Sequence, residues 1–353
     1  MSNGKQRKLY LDFLRIIAII FVIYNHTSEK GYYLYAFDVP FVLKIIYMTA
    51  GALIAVAVPV FFMISGSLLI PKEESIGDLY KKRVLRMVIV LIVFSLLQYI
   101  LLIVTDNVEI SLRYFITHIT TQSIVAQYWY LYAYLAYLIC LPLLRKMARN
   151  MTDKEFKYIF AAFLIIEGLL AALLFIFNIG EMTAFFTIPF FNRVVIYPLL
   201  GYYMENRMTK KQYTLKGVFI FTGLIIAVLA LIVVNTLYRN LPYEQFTDYD
   251  KGLYVTGFTA VLDAGIFYIV KHIFMDRKVP KALEFIITAL GSTVFGVYLI
   301  ESIIRSNTTK IYDAMVPYIG RFLSAWVWSV FVFLTGAVII YIVKLIPGVK
   351  KLL

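Results

Sequence analysis

The chain has 353 residues, 61% of them hydrophobic, and a formal net charge of +13. Soluble globular chains are about 45–50% apolar, so this composition excludes a soluble globular protein and indicates an all-α, polytopic membrane protein. Cys140 is the one cysteine, which excludes an internal disulfide and a cysteine-based metal site. His26, His118 and His272 are scattered without paired-ligand spacing, so no metal is expected.

Lys5, Arg7 and Lys8 precede an apolar run over residues 9–27. The pattern opens like a secretory leader. However, the run contains Asp12 and Arg15 and no small-residue cleavage site follows it, so it reads as a retained first membrane helix. Hydropathy predicts ten spans, at about 9–27, 43–70, 84–104, 127–144, 157–178, 184–204, 215–237, 253–275, 284–304 and 322–346, each near the ~20 residues that cross a hydrocarbon core. Residues 110–123 are less apolar and fit the membrane interface. No repeat or polar linker divides the chain, and no segment is long and polar enough for a separate soluble domain. One domain over residues 1–353 is expected.

Lysine and arginine alternate sharply between the loops. One set of loops carries 24 of them and the opposite set 7. The positive-inside rule places the richer set in the cytoplasm, with both termini on that side. Topology therefore accounts for the positive charge, and no nucleic-acid partner is needed.

Within this frame several residues can carry chemistry. Arg15 lies inside the first span, where an uncompensated guanidinium costs several kcal/mol. His26 follows eleven residues later, about 20° past three full helical turns, so the two share a face roughly 16 Å apart along the axis. Arg15 reads toward the cytoplasmic side and His26 toward the outer side. An imidazole there can accept a hydroxyl proton and return it. Asp12, three residues before Arg15, can pair with it, so a structural ion pair and an anion contact both stand as readings of Arg15. Arg83 and Arg86 face one way at the start of the third span, where backbone N–H groups and two guanidiniums suit phosphates; topology alone also explains them. Ser65 and Gly66 are small, which permits close approach of a helix or of a ligand. Tyr128, Trp129, Tyr130, Tyr134 and Tyr137 open the fourth span. They read as an aromatic belt or as the wall of an outward polar cavity suited to sugar rings. Glu167, Arg193 and Asp263 fall mid-span. Glu301 sits near the outer end of the ninth span, at His26's depth. It can orient the imidazole or pair with Arg305 four residues on, and the second is favoured by a little.

Together these residues resemble the membrane acyltransferase 3 family. The resemblance rests on Leu11-Asp12 and Leu14-Arg15 with ten residues between Arg15 and His26, on Phe61-Phe62 through Ser65-Gly66, and on Arg83-Val-Leu-Arg86. Two further blocks are Tyr128-Trp129-Tyr130-Leu131 and Phe295-Gly-Val-Tyr298-Leu-Ile300. After the last block the family usually has histidine, where this chain has Glu301. The resemblance implies an integral membrane acyltransferase without a bound cofactor. Acetyl-CoA would be the donor substrate, its phosphates near Arg83, Arg86 and Arg15 and close to Ser65 and Gly66. His26 would assist transfer to a hydroxyl of a cell-envelope glycan, with Asp12, Trp129, Tyr130, Tyr298 and Glu301 supporting acceptor or catalyst. The partners are then the bilayer of the cell membrane, acetyl-CoA and the glycan. A polysaccharide or small-anion transporter is the alternative, supported by Glu167, Arg193 and Asp263. A purely structural membrane component is third.

Overall fold

A computed structural model describes residues 7–106, 108–177, 179, 187–240, 253 and 257–353. Helix α1 (Leu9–Asn25) leads through short tight turns to α2 (Phe41–Ile54) and α3 (Ala57–Leu69). The break between these two has a local cause. Pro59 has no N–H to give to the carbonyl of Ala55. The chain closes there with tighter turns instead, each N–H reaching back three residues, Ala55 N–H to the Ala52 carbonyl and Val56 N–H to the Leu53 carbonyl. A loop through Glu74 reaches α4 (Ile76–Leu79), which Ser75 caps through the Asp78 N–H. One wide turn, Tyr80–Val84, joins it to α5 (Leu85–Thr105). Helix α6 (Leu112–Thr121) follows, then α7 (Trp129–Asn150) and α8 (Asp153–Phe163). Thr152 and Glu155 form a reciprocal cap on α8. The helix runs through a second wide turn, Leu164–Leu170, into α9 (Ala171–Ile176). The rest are α10 (Arg193–Tyr202), α11 (Leu215–Asn240), α12 (Thr259–Phe274), α13 (Lys281–Asn307), α14 (Thr309–Val343) and α15 (Val349–Leu352). Gly320, at φ 75°, breaks α14 into two helical pieces; only glycine adopts this backbone readily.

Among the described residues, seven helices are long and apolar enough to cross a membrane: Phe41–Leu69, Ile76–Thr105, Ala126–Asn150, Asp153–Ile176, Leu215–Tyr238, Lys281–Asn307 and Thr309–Val343. Each matches an expected span. The other three expected spans correspond to shorter helices. Helix α1 has 17 residues, α10 has 10 and α12 has 16. Expected spans 184–204 and 253–275 also fall partly outside the described residues. The segment expected at the interface is α6, 10 residues long with none buried, too short to span.

Helix α1 is central. It packs against α2, α3, α12, α13 and α14. Its shortness fits that position, because its apolar face meets protein and Leu11, Leu14, Ala18, Ile19 and Ile23 are all at most 2% exposed. Helices α3 and α10 approach closely at two glycines. A Cβ on Gly66 would lie 2.0 Å from the Pro198 carbonyl oxygen, and one on Gly201 would lie 2.0 Å from that of Met63.

The basic loops do gather at one end. There Lys8 and Lys271 both pair with Glu205, Arg207 pairs with Asp153, and Arg149 donates to the Lys72 carbonyl. At the opposite end Lys30 pairs with Asp313 and Arg321 donates to the Glu29 carbonyl. Because the α3–α10 contact leaves no room for a methyl group, Gly66→Ala and Gly201→Ala are each expected to destabilise the fold by about 1–3 kcal/mol or more. The check is a lowered melting temperature of the detergent-purified protein.

Candidate functional site

Two cavities meet at the face of α1. The larger, about 290 Å³, runs along it from Arg7 past Arg15 and Val22 to His26. Val58 and Phe61 of α3, Gln127, Trp129 and Tyr130 at the start of α7, and Gly291, Ser292, Val294, Phe295 and Tyr298 of α13 complete its wall. Helix α1 itself, 17 residues long, rises roughly 25 Å at 1.5 Å per residue, most of the ~30 Å hydrocarbon thickness. The second cavity, about 220 Å³, lies toward the basic end. It is lined by Ser65, Lys82, Arg83, Arg86, Tyr134 and Leu353 among others. Arg15, Phe61, Tyr130 and Phe295 line both, so these four side chains form the partition between them.

At the far end His26 follows the last turn of α1, its N–H bonded to the Val22 carbonyl. Its Nδ1 lies 2.8 Å from Glu301 Oε1. An ionised carboxylate only accepts, so Nδ1 carries the proton and Nε2 is left as the basic nitrogen for the cavity. Glu301 is fully buried, and its other oxygen receives Arg305 Nε at 3.3 Å. Both contacts weighed for Glu301 therefore occur together, with the histidine contact the shorter. Glu301 stands behind His26 and does not line the cavity.

Asp12 anchors the other end of α1. Only 1% of its side chain is exposed, and it holds Arg15 Nη1 at 2.6 Å and Arg7 Nε at 2.5 Å. The structural pairing of Arg15 is thus real, and Arg15 still borders both cavities. Gly291 allows α13 to lie against Asp12, since a Cβ there would be 2.7 Å from Asp12 Cβ.

At the basic end Arg83 Nε is 3.0 Å from Glu74, and Arg145 Nη2 is 3.0 Å from the same oxygen. Burial pulls the Glu74 carboxyl up, but Arg83 and Arg145 outweigh it and hold it below the usual carboxylate range. Arg86 donates from Nε and Nη2 to the Leu352 carbonyl, at 3.0 and 2.9 Å.

The aromatic wall is partly as expected. Trp129, Tyr130 and Tyr298 all face the larger cavity. Tyr298 is held by a hydrogen bond to the Gln127 carbonyl, and its ring meets that of Tyr130 edge-on at 5.6 Å. Tyr137, expected on the same face, lines neither cavity. Its buried hydroxyl has no partner among the described residues. Gly66 is also outside both linings, being occupied by α10, so its smallness serves helix packing; Ser65 does line the inner cavity. Arg193 is the first residue of α10, capped by Asn192, and not mid-helix as expected. Its guanidinium lies 5.9 Å from the Trp129 ring centre.

Sequence reasoning missed Val22, Gln127, Gly291, Ser292, Glu74 and Arg145. Val22 was accessible to it, being seven residues from Arg15 and four from His26 on one helical face. The others depend on contacts between distant segments. His118 and His272 bond to the main-chain carbonyls of Tyr114 and Tyr213, outside the cavities.

A family model described as an acyltransferase domain matches residues 8–344, essentially the whole chain. The chain belongs to the acyltransferase 3 family. No curated protein and no solved structure matches it. This acyltransferase, with seven helices among the described residues long and apolar enough to cross a membrane, is a multi-pass membrane protein. Arg15, His26, Arg83 and Arg86, on which the sequence resemblance rests, each line one or both of the two cavities.

Two predictions follow from the paired carboxylates. Glu301→Gln keeps the size of the side chain and removes its charge. It is expected to lower acyl transfer at least about tenfold, mainly in kcat, with the melting temperature changed far less than in Glu301→Ala. Glu74→Gln is expected to destabilise the protein by about 2 kcal/mol near neutral pH. Since the folded carboxyl titrates below its ordinary value of ~4.3, that contribution is complete above the ordinary value and is lost as pH falls through the lower one. Melting curves of both proteins should therefore converge only in acid.

Proposed function

We propose that this acyltransferase is an O-acetyltransferase. It takes an acetyl group from acetyl-CoA at the basic, cytoplasmic end and delivers it to a hydroxyl of an envelope polysaccharide, or its lipid-linked precursor, at the opposite end. The observation that carries this reading is the shared wall. Two cavities on either side of it have Arg83 and Arg86 at the basic end and His26 at the other. The charge pattern of the loops supports ten crossings with both termini in the cytoplasm, in the cell membrane.

The donor's phosphates would lie against Arg83, Arg86 and Arg15. Its pantetheine arm, about as long as the ~16 Å rise from Arg15 to His26, would pass between Phe61, Tyr130 and Phe295. The acceptor sugar would stack on Trp129, Tyr130 and Tyr298, whose flat apolar faces suit a pyranose ring. In the transfer step the acceptor oxygen attacks the thioester carbonyl carbon, and its proton moves to His26 Nε2. The carbon–sulfur bond then breaks, the acetyl ester remains on the acceptor, and the proton passes to the departing thiolate. Glu301 keeps the imidazole in the Nδ1–H form and offsets the charge it gains. Transport finds less support, because Glu167, Arg193 and Asp263 line neither cavity.

His26→Ala tests the reading in purified protein given acetyl-CoA and isolated envelope glycan. Turnover is expected to fall at least about a hundredfold, with acetyl-CoA binding retained, while Arg83→Ala weakens that binding. Near-normal turnover of His26→Ala would contradict the mechanism.

A further inference from the structure

Charge is unevenly compensated at the basic end. Arg7 and Arg15 share Asp12, and Arg83 shares Glu74 with Arg145. Arg86 and Lys344 are different. Among the described residues neither pairs with a carboxylate. Arg86 donates to the Leu352 carbonyl, and Lys344 Nζ donates to the Ser292 carbonyl at 2.6 Å.

These two cations converge from different elements. Ser292 and Arg7 line the larger cavity, so Lys344, which directly follows α14, is bonded to a residue of that cavity's wall. Arg86 lines the adjoining one beside Leu353. The charges that bear on the partly buried Lys344 are those of Arg86, Arg7 and Lys350, all of one sign. Like charges held this close repel. The Leu352 and Ser292 carbonyls supply partial negative charge only, so a dianion would bind more strongly than they do.

We propose that Lys344, with Arg86, Arg7 and Lys350, forms a subsite for a phosphomonoester dianion, the ribose 3′-phosphate of the coenzyme A donor. This rests on the acetyl-CoA reading above and adds a selectivity to it. A coenzyme A thioester carries two separate anionic groups, a pyrophosphate and a 3′-phosphate. The chain offers Arg15, Arg83 and Arg86 on the wall of one cavity, and beyond Arg86 a further cation, Lys344, tied to the Ser292 carbonyl. A lipid phosphate headgroup has the same chemistry and is the other source of such a dianion, which the experiment separates.

The test compares binding of acetyl-CoA and acetyl-3′-dephospho-CoA to the full-length protein in nanodiscs of zwitterionic lipid and of lipid containing phosphatidylglycerol. The wild-type protein is expected to prefer acetyl-CoA about tenfold or more in both lipids. Lys344→Met should reduce acetyl-CoA binding to the level of the dephospho compound, whose own binding stays unchanged, and should raise KM for acetyl-CoA without lowering kcat. Lys344→Arg should keep the preference, which separates charge from a purely structural tie to Ser292. Equal binding of the two donors by the wild-type protein would overturn the subsite, as would equal weakening of both in Lys344→Met. An effect of Lys344→Met seen only in phosphatidylglycerol, and alike for both donors, would assign the cluster to lipid and overturn it too. A wild-type protein that binds neither donor would refute the acetyl-CoA reading itself.

Discussion

Each buried carboxylate around the two cavities is shared by two cations. Asp12 holds Arg7 and Arg15, Glu74 holds Arg83 and Arg145, Glu205 holds Lys8 and Lys271, and Glu301 holds His26 and Arg305. A single ion in a low-dielectric interior carries a desolvation penalty of several kcal/mol, and removal of one partner strands the other. Sharing solves this while leaving the Asp12, Glu74 and Glu205 clusters net positive, and the Glu301 cluster positive once His26 is protonated. Asp12 finds its partners locally, whereas the contacts of Lys8 and Lys271 with Glu205 and of His26 with Glu301 join distant parts of the chain and also fix α1 against α10, α12 and α13. At the basic end the surplus charge suits a polyphosphate donor. At the His26 end the buried carboxylate suits the proton that the proposed mechanism gives the imidazole.

The cavity depends on α1 having two faces. Its apolar side is sealed by neighbouring helices, whereas Arg15, Val22 and His26 look into open space bounded by α3, α7 and α13. Small residues set the spacing. Gly291 lets α13 reach Asp12, and Gly66 with Gly201 lets α3 and α10 close behind the wall. A larger side chain at any of these would move a wall, which is why residues that touch no substrate still matter to the site.

Much of this was legible in the sequence, for reasons of period and cost. The alignment of Arg15 with His26 follows from helical geometry, and the expense of an intramembrane guanidinium marks the pair. Asp12 as a partner of Arg15 follows from its spacing of three residues. The short central helices were harder. Hydropathy reports burial in lipid and burial in protein alike, so the helices α1, α10 and α12 are shorter than the apolar runs that predict them. Arg193 was misplaced for the same reason, since the apolar run before it extends beyond the helix that Asn192 caps. Glu74 and Lys344 were invisible, because their importance lies in contacts with Arg145 and Ser292 more than fifty residues away. Gly66 was seen as significant but on the ambiguous side of its signal, and packing was the answer.

The central claim is that one protein-lined path connects the basic end to His26 across the bilayer. The direct test uses sealed membrane vesicles of defined orientation that contain their own glycan. Acetyl-CoA labelled in the acetyl group is supplied only from outside. In inverted vesicles, with the basic end outward, label is expected on lumenal glycan, shielded from added esterase, with no coenzyme A inside. Right-side-out vesicles should acquire none. Label on right-side-out vesicles, or only on glycan exposed to the same side as the donor, would contradict a path through the protein.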